Sequence, residues 1–179
     1  MTEAPRIRDA RDDDVAAITE LQNALLATTP IEWTDAEHTV EGRAAWLAAR
    51  RVAGDAVLVA EAGSEVVGFA AYADFRDTTK WPGYRLTVEH TIHVARSHWG
   101  TGVGGRLMEA LTERAVAAGK HVIVAAIDAE NDGSIRFHER LGFVEVARMP
   151  EVGTRFGRWL TLVMLQRIIG SPEPPPAGR

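Results

Sequence analysis

A cluster of four glycines constrains the fold of this chain more than any other feature of its sequence. The cluster occupies positions 100–105, reads GTGVGG, and lies between a strand-like segment and a segment typical of an amphipathic helix. Glycines adopt positive φ readily, and the first N–H groups of a helix have no acceptor within the helix. Such a loop can hold a phosphate against backbone donors and the helix dipole. A flexible turn at a helix start is the plainer alternative.

Apolar periodicity predicts strands and helices on both sides of the glycine cluster. Acidic residues at 12–14 suit a helix start, and Gly119 suits a helix end. The predicted order is α/β, without the regular alternation of a doubly wound sheet. The predicted helices cover 12–27, 40–53, the stretch from the glycine cluster to 118, and 132–141; the predicted strands begin at Ile7 and cover 56–61, 66–75, 86–95, 121–127, 143–149 and 158–166.

Length and composition predict one domain followed by a tail. The chain has 179 residues, of which 46% are hydrophobic, and this is enough for a single core. We expect residues 1–169 to form the domain. We expect residues 170–179, with the sequence GSPEPPPAGR, to be a disordered proline-rich tail because they offer almost nothing to bury.

Charge and residue types exclude several classes of function. The net charge of −5, from 20 basic and 25 acidic residues, argues against a nucleic-acid partner. The absence of cysteine excludes disulfides, an acyl-cysteine intermediate and cysteine-ligated zinc. The start of the chain shows no apolar signal stretch, and no apolar run approaches the roughly 18 residues of a membrane span. We therefore expect a cytoplasmic protein that does not bind membranes.

The glycine cluster also matches nucleotide-binding motifs, but incompletely. Its letters fit G-x-G-x-x-G, and Asp128 lies where an NAD-dependent oxidoreductase would hold a ribose hydroxyl. Against this, the cluster comes late in the chain, and the preceding strand carries Glu89, His90 and His93 where a buried parallel strand is mostly apolar. A nucleoside-triphosphate loop is excluded because no Lys-Ser/Thr follows the last glycine.

Four segments form an ordered pattern that is more specific than the glycine cluster alone. They are TVEHTIHV at 87–94, WGTGVGGRL at 99–107, ENDGSIRFHERLGF at 130–143 and MPEVGTRFGRWLTLVMLQ at 149–166. In this order they resemble the GCN5-related N-acetyltransferase (GNAT) superfamily, and most closely its phosphinothricin and methionine sulfoximine/methionine sulfone branch. Trp99 departs from the superfamily pattern, which usually has Gln or Arg there, and so removes a polar side chain near the pyrophosphate.

The resemblance implies a GNAT fold, with a mixed central sheet flanked by helices. Two splayed strands, predicted at 86–95 and 121–127, would hold acetyl-CoA between them. The pantetheine arm would pair with the backbone of the first strand, and the glycine cluster would take the pyrophosphate. Asn131 would bond the pantetheine amides or the substrate, although it also suits a helix N-cap. The implied cofactor-binding residues are Ile92, His93, Val94, Gly100, Thr101, Gly102, Val103, Gly104, Gly105, Asn131 and Arg140.

The resemblance also implies catalytic roles for two side chains. Glu89 would be the general base, directly or through water, and His138 would be the acid for the CoA thiolate. A backbone N–H near Val94 would face the oxyanion. Without the resemblance, Glu89 suits a salt-bridged strand residue and His138 a partly buried helix histidine. Simple alternation along the strand places Glu89 on one face with Thr87, Thr91 and His93, and it places Leu86, Val88, His90, Ile92 and Val94 on the other face. The implied acceptor-binding residues are Arg76, Asp77, Thr78, Glu89, His90 and Thr91.

We therefore expect an acetyl-CoA-dependent N-acetyltransferase that acetylates the α-amine of a small amino acid or analogue by direct attack in a ternary complex. Methionine sulfoximine, methionine sulfone and phosphinothricin are the candidate acceptors. Residues 156–159 resemble a family segment near a subunit contact, so we expect a homodimer, and no motif predicts a metal. The alternatives are acetylation of a peptide N-terminus or a polyamine, an NAD-dependent oxidoreductase, and a non-catalytic CoA-binding sensor.

Overall fold

The computed structural model describes residues 4–29 and 31–170, and it confirms a mixed α/β fold. Within these residues, one seven-stranded sheet carries four α-helices. The strands are β1 (Arg6–Asp9), β2 (Val57–Ala62), β3 (Glu65–Asp74), β4 (Thr87–Val94), β5 (Val122–Asp128), β6 (Val144–Arg155) and β7 (Arg158–Ile168), and the helices are α1 (Val15–Leu26), α2 (Val40–Ala53), α3 (Val103–Ala117) and α4 (Asp132–Arg140). The strand order is β1-β2-β3-β4-β5-β7-β6.

The sheet has a buried core on each face. On one face, α3 packs Leu107 and Leu111 against sheet residues such as Ile123. On the other face, α1 and α2 enclose Phe69, which is fully buried. Close packing of α3 requires a residue without a side chain in β3, since a Cβ at Gly68 would lie 3.1 Å from Leu107 Cδ1 and 3.0 Å from a backbone oxygen of β4.

The helix predicted to begin at Asp12 begins three residues later. Residues 12–14 form a short 3-10 turn instead. Asp14 ends that turn, because its carboxylate accepts the backbone N–H of Arg11 at 2.7 Å and the guanidinium of Arg8 at 2.6 Å. Helix α2 has the predicted bounds, because Thr39 caps its N-terminus and Gly54 ends it with φ +76°.

Strands β4 and β5 are splayed, as the resemblance implied. They run parallel and pair only at their first three positions, from Thr87 with Val122 to Glu89 with Val124. Beyond that point β4 continues to Val94 beside β3, and β5 continues to Asp128 beside β7. A gap therefore opens in the middle of the sheet between the carboxyl-terminal halves of the two strands.

Strand β6 is longer than predicted. The sequence predicted its end at Met149, since Pro150 follows, but the strand continues to Arg155. Proline is tolerated here because β6 lies at the edge of the sheet and its ladder with β7 is irregular between Met149 and Gly153. The bulge also places Glu151 at φ +55°.

The predicted tail lies almost entirely outside the described residues, which end at Gly170. The N–H of Gly170 itself donates to the carbonyl of His121 at 3.2 Å. In the described part of the chain, no helix is both long and apolar enough to span a membrane.

Candidate active site

Alternate residues of β4 direct their main chain into the gap. The Ala95 N–H donates to β3 at 2.9 Å, and the Thr87 carbonyl accepts an N–H from the residue after β3 at 3.1 Å. In an antiparallel pair such bonds recur at every second residue, so the odd-numbered residues of β4 bond to β3. The even-numbered residues beyond Glu89 consequently point their N–H and C=O groups toward β5, which has already diverged. These residues are His90, Ile92 and Val94.

This orientation separates His93 from Ile92 and Val94, with which it was predicted to bind the pantetheine arm. The main chain of His93 faces Phe69 of β3, its cross-strand partner. His93 is 8% exposed, and its imidazole lies on the α1–α2 face of the sheet. The centroid of the imidazole lies 5.2 Å from the centroid of the Phe69 ring. His93 therefore offers the gap neither its main chain nor its side chain.

The glycine cluster forms the turn into α3. Gly100 and Gly102 have φ of +74° and +89°, a conformation that L side chains rarely adopt. Gly102 is the N-cap of α3, so the N-cap position offers no side chain to the first N–H groups of the helix. Donors at a helix N-terminus suit a diphosphate. Gly104 lets α4 approach, because a Cβ there would meet the Phe137 ring at 3.2 Å.

Trp99 turns back to the strand rather than forward to the loop. Its indole N–H donates to the Val94 carbonyl at 2.7 Å, and the Arg96 guanidinium lies 5.2 Å from its ring centroid. The departure from the usual polar residue thus gives a hydrogen bond that joins the end of β4 to the start of the loop. The sequence alone did not indicate this role.

A groove with a volume of about 580 Å³ leads away from the glycine cluster along α3. Gly102 and Gly105 line it together with charged residues of both signs, which are Arg106, Arg140, Arg167, Glu109 and Glu113. Arg140 was predicted as a cofactor residue. Arg106 was missed although it lies in the first turn of the predicted helix, and Arg167 gave no signal because it comes from distant β7.

Glu89 lies on the α1–α2 face of β4, where simple alternation placed it together with Thr91 and His93. Burial raises the pKa of Glu89 above its ordinary value, and the positive charge of Arg76 offsets part of that rise. Arg76 is exposed, and its guanidinium stacks 4.4 Å from the centroid of the Phe75 ring. The charge of the predicted carboxylate partner thus acts on the predicted base.

His138 and His90 form a buried pair on the opposite face of the sheet. His138 Nδ1 lies 2.7 Å from the Ser134 carbonyl, which accepts only, so Nδ1 carries the proton. His138 Nε2 lies 3.1 Å from His90 Nε2, and a neutral pair needs His90 to donate. Burial lowers the pKa of both rings, that of His90 well below its ordinary value. The His90 side chain thus lies away from Glu89 and Thr91, with which it was grouped for acceptor binding.

Three other predicted site residues make local structural contacts. Asn131 Oδ1 accepts the Ser134 N–H at 3.1 Å and caps α4. Asp77 Oδ1 accepts the Thr79 N–H at 3.0 Å, and the Thr78 hydroxyl donates to Asp74 at 2.8 Å. These contacts order the loop after β3. Across residues 4–29 and 31–170, no group of three His, Asp or Glu side chains is placed to hold a metal ion.

Asp128 does not fit a ribose-binding role. It is 5% exposed, and its carboxylate accepts the Trp33 indole N–H at 3.1 Å and the Glu130 N–H at 2.8 Å. The largely antiparallel sheet also differs from the parallel sheet of a dinucleotide-binding domain. The NAD-dependent interpretation is therefore wrong.

Comparison with known proteins agrees with this geometry. The acetyltransferase (GNAT) family model matches residues 18–143. L-amino acid N-acyltransferase MnaT of Escherichia coli is 44% identical over 89% of this chain and 91% of its own length. The L-methionine sulfoximine/L-methionine sulfone acetyltransferase of Salmonella typhimurium is 43% identical over 89% and 92%. Phosphinothricin N-acetyltransferase of Streptomyces coelicolor is 31% identical over 90% and 95%.

A solved structure supports the same conclusion. The structure of yncA from Salmonella typhimurium, determined with its cofactor acetyl-CoA, superposes with a TM-score of 0.92 at 40% identity and covers 99% of this chain and 100% of its own. The family match covers more than half of this chain, and these relatives align over nearly their whole length. The chain therefore belongs to the GNAT acetyltransferase family.

Proposed function

We propose that this protein transfers the acetyl group of acetyl-CoA to the α-amine of a small amino acid with a polar side-chain head. Methionine sulfoximine, methionine sulfone and phosphinothricin are the proposed acceptors. The observation that carries the proposal is the gap between β4 and β5, which ends at the uncapped N-terminus of α3. Relatives 43–44% identical over 89% of the chain, named for amino-acid N-acylation and sulfoximine/sulfone acetylation, support the choice of acceptor.

Acetyl-CoA would lie along the gap as an added, partial strand. The main-chain groups of Ile92 face that space and can pair with pantetheine amides. The N–H groups at the start of α3 would hold the pyrophosphate, and Arg106 and Arg140 can neutralise further phosphate charge in the groove beyond. The N–H of Val94 is the donor best placed for the oxyanion of the tetrahedral intermediate.

The amine must lose a proton before or during its attack on the thioester carbonyl carbon. Glu89 is the proposed acceptor of that proton, directly or through one water. Its raised pKa makes it a stronger base than a solvated carboxylate. As the C–N bond forms and the C–S bond breaks, the acceptor nitrogen becomes an amide and CoA leaves as a thiolate.

The thiolate takes up a proton, and His138 is the proposed route. The His138 ring is neutral, and its Nδ1 proton is hydrogen-bonded to the Ser134 carbonyl. Nε2 is therefore the nitrogen of His138 that can exchange a proton. Nε2 contacts His90. A neutral imidazole gives up a proton only as it takes up another, so we infer that His138 relays to the thiolate a proton supplied by the acceptor nitrogen or by solvent, and that both rings stay neutral overall.

The fork of Arg76 is proposed to bind the acceptor carboxylate, and the effect of its positive charge on the pKa of Glu89 supports this role. The α-amine and the carboxylate are bonded to the same carbon, so this placement would leave the amine beside the base.

The test is release of CoA thiol from acetyl-CoA in the presence of a panel of acceptors. The panel contains methionine sulfoximine, methionine sulfone, phosphinothricin, unmodified amino acids, polyamines and short peptides. The proposal expects turnover with the first three. Turnover with peptides or polyamines alone would contradict it, and CoA binding without any turnover would indicate a sensor.

Substitution of the base gives a second test. Glu89→Gln should reduce kcat by about 100-fold or more while leaving CoA binding near wild type, since a positioned base contributes about 10²–10⁴ in rate. Glu65→Gln, at an exposed position at the start of β3, is the matched control and should keep wild-type turnover. An unchanged rate in Glu89→Gln would dismiss Glu89 as the base.

A homodimer in the cytoplasm is proposed as the setting of this activity. Large apolar side chains are exposed near the β6–β7 turn, including Val152, Phe156 and Trp159, and a second copy would cover them. The absence of cysteine suits a reducing compartment. Light scattering would test the dimer: a monomer at micromolar concentration would contradict it.

A further inference from the structure

A polar cavity opens on the same face of β4 as Glu89. It has a volume of about 320 Å³ and lies between α1, α2 and the strand. Its lining is unusual for the space between two helices and a sheet, because it contains a buried cation, a carboxylate and several hydrogen-bonding groups. The lining residues used below are Gln22, Glu32, Arg43, Trp46 and Thr91.

A chain of hydrogen bonds fixes one wall of the cavity. The Arg43 guanidinium donates through Nη2 to Gln22 Oε1, and Gln22 Nε2 donates to Glu32 Oε1. The other oxygen of Glu32 contacts His38 Nε2 at 2.9 Å. Arg43 comes from α2 and Gln22 from α1, so the network locks the two helices and the connecting loop together.

Arg43 has hydrogen-bonding capacity that the protein does not use. Only 6% of the residue is exposed, and its Nε has no hydrogen-bond partner among the described residues. Its guanidinium lies 4.6 Å from the centroid of the Trp46 ring. A buried cation with unused donors is costly to leave unpaired, and Arg43 lines the cavity, so its guanidinium suits an oxygen acceptor there.

The distance along β4 relates this cavity to the base. Glu89 and Thr91 lie on one face, two positions apart, which corresponds to about 6.7 Å along a strand. In an extended amino acid, about 5 Å separates the α-nitrogen from the δ atom of the side chain, which is the sulfur in methionine sulfone. An acceptor whose amine lies at Glu89 therefore reaches Thr91 and the cavity with the end of its side chain.

We propose that this cavity receives the polar head of the acceptor side chain, with Arg43 and Thr91 donating hydrogen bonds to the oxygens of a tetrahedral sulfur or phosphorus group. The proposal rests on the proposed function and specifies which part of the protein selects the acceptor. Trp46 supplies an apolar wall for the methyl group that such heads carry. Gln22 and Glu32 are positioning residues that hold Arg43 in place.

The test compares two acceptors that share an α-amine and carboxylate but differ at the head. Methionine sulfone offers two oxygens, and norleucine offers none. The variants are Arg43→Lys, which keeps the charge but removes the planar guanidinium, and Thr91→Val, which removes one hydroxyl with little change in volume. Arg51→Lys is the control, since Arg51 lies on the same helix but is half exposed and pairs with Asp12.

Arg43→Lys should lower kcat/KM for methionine sulfone by about 10- to 100-fold, because a hydrogen bond to a charged group is lost. Its kcat/KM for norleucine should stay within about threefold of wild type. Thr91→Val should show the same selectivity with a smaller loss of about three- to tenfold. The control should match wild type, and CoA affinity and melting temperature identify any variant that fails to fold.

Two results would overturn the proposal while leaving the proposed function intact. One is an equal loss for both acceptors in Arg43→Lys and Thr91→Val, which would place these residues at the shared amino-acid moiety or in the framework. The other is a wild-type kcat/KM for methionine sulfone in both variants, Thr91→Val and a folded Arg43→Lys. Wild-type protein that binds CoA but acetylates neither acceptor would overturn the proposed function as well.

Discussion

Acidification tests whether His93 is a neutral side chain of the core. Burial lowers the pKa of His93 from its ordinary value of 6.5 to about 4, and the nearby carboxylate of Glu32, 3.9 Å away, offsets only part of that effect. The unfolded chain therefore takes up a proton at a pH where the folded protein does not. Stability from this residue is complete above pH 6.5 and declines as the pH falls toward 4.

The magnitude follows from the two pKa values. Relative to pH 7.5, the free energy of unfolding contributed by His93 falls by about 2 kcal/mol at pH 5 and by about 3 kcal/mol at pH 4. For a domain of this size that is a substantial part of the total stability, since native proteins are stable by about 5–15 kcal/mol.

Urea unfolding at several pH values between 7.5 and 4 measures this contribution. The variant His93→Phe keeps an aromatic ring beside Phe69 but cannot titrate, so its stability should decline less with acid by the amounts given. Phe69→Leu is the control. It should destabilise the same part of the core by a constant amount at every pH, because it removes packing and no ionisable group.

The reasoning would be refuted if wild type and His93→Phe lost stability in parallel between pH 7.5 and 5. That result would mean that His93 binds its proton equally well in the folded state. The Glu32 carboxylate would then hold the imidazolium in an ion pair inside the core.

Three further predictions concern the site. Protonation of the amine should lower kcat/KM by about tenfold per pH unit, and below the raised pKa of Glu89 protonation of the base should add a second loss of about tenfold per pH unit. A single slope over the whole acidic range would contradict the assignment of Glu89 as the base. Gly102→Ala, at φ +89°, should cost about 1–2 kcal/mol of stability and weaken CoA binding in calorimetry. Gly63→Ala, at φ +63°, should cost the same stability and leave CoA binding unchanged; equal affinity in both variants would exclude the loop as the diphosphate site. Trp99→Phe, which lacks the donor to Val94, should raise KM for acetyl-CoA about fivefold at constant kcat, and a changed kcat would assign Trp99 another role.

Much of the strand that carries the site was predictable because its signals are local. Alternation along 87–94 put Glu89 and Thr91 on one face and Ile92 and Val94 on the other, and the structure confirms both faces. The cap of α4 at Asn131 followed in the same way from residue type and position. Side-chain direction within one element depends mainly on its own backbone geometry, so sequence reasoning recovers it.

The two histidines whose predicted roles the structure does not support have surroundings that are set by other secondary-structure elements. His93 was assigned to the pantetheine arm, but the register with β3 occupies its main chain. His90 was grouped with the acceptor residues, but α4 brings His138 against it from 48 positions away. Neither contact has any trace in local periodicity.

The sequence by itself determined the glycine turn before α3, the face of β4 that Glu89 shares with Thr91, and family membership, because these depend on glycine's backbone freedom, on the period of a strand and on an ordered pattern of segments. Tertiary structure decided the rest. Arg155, from the end of β6, reaches the carbonyl of Leu26 at the end of α1 across 129 positions and fixes the loop that carries Glu32. Arg43 and Gln22 meet only because α1 and α2 pack on one face of the sheet. Such contacts join residues far apart in sequence, and only the packing of the whole domain brings them together.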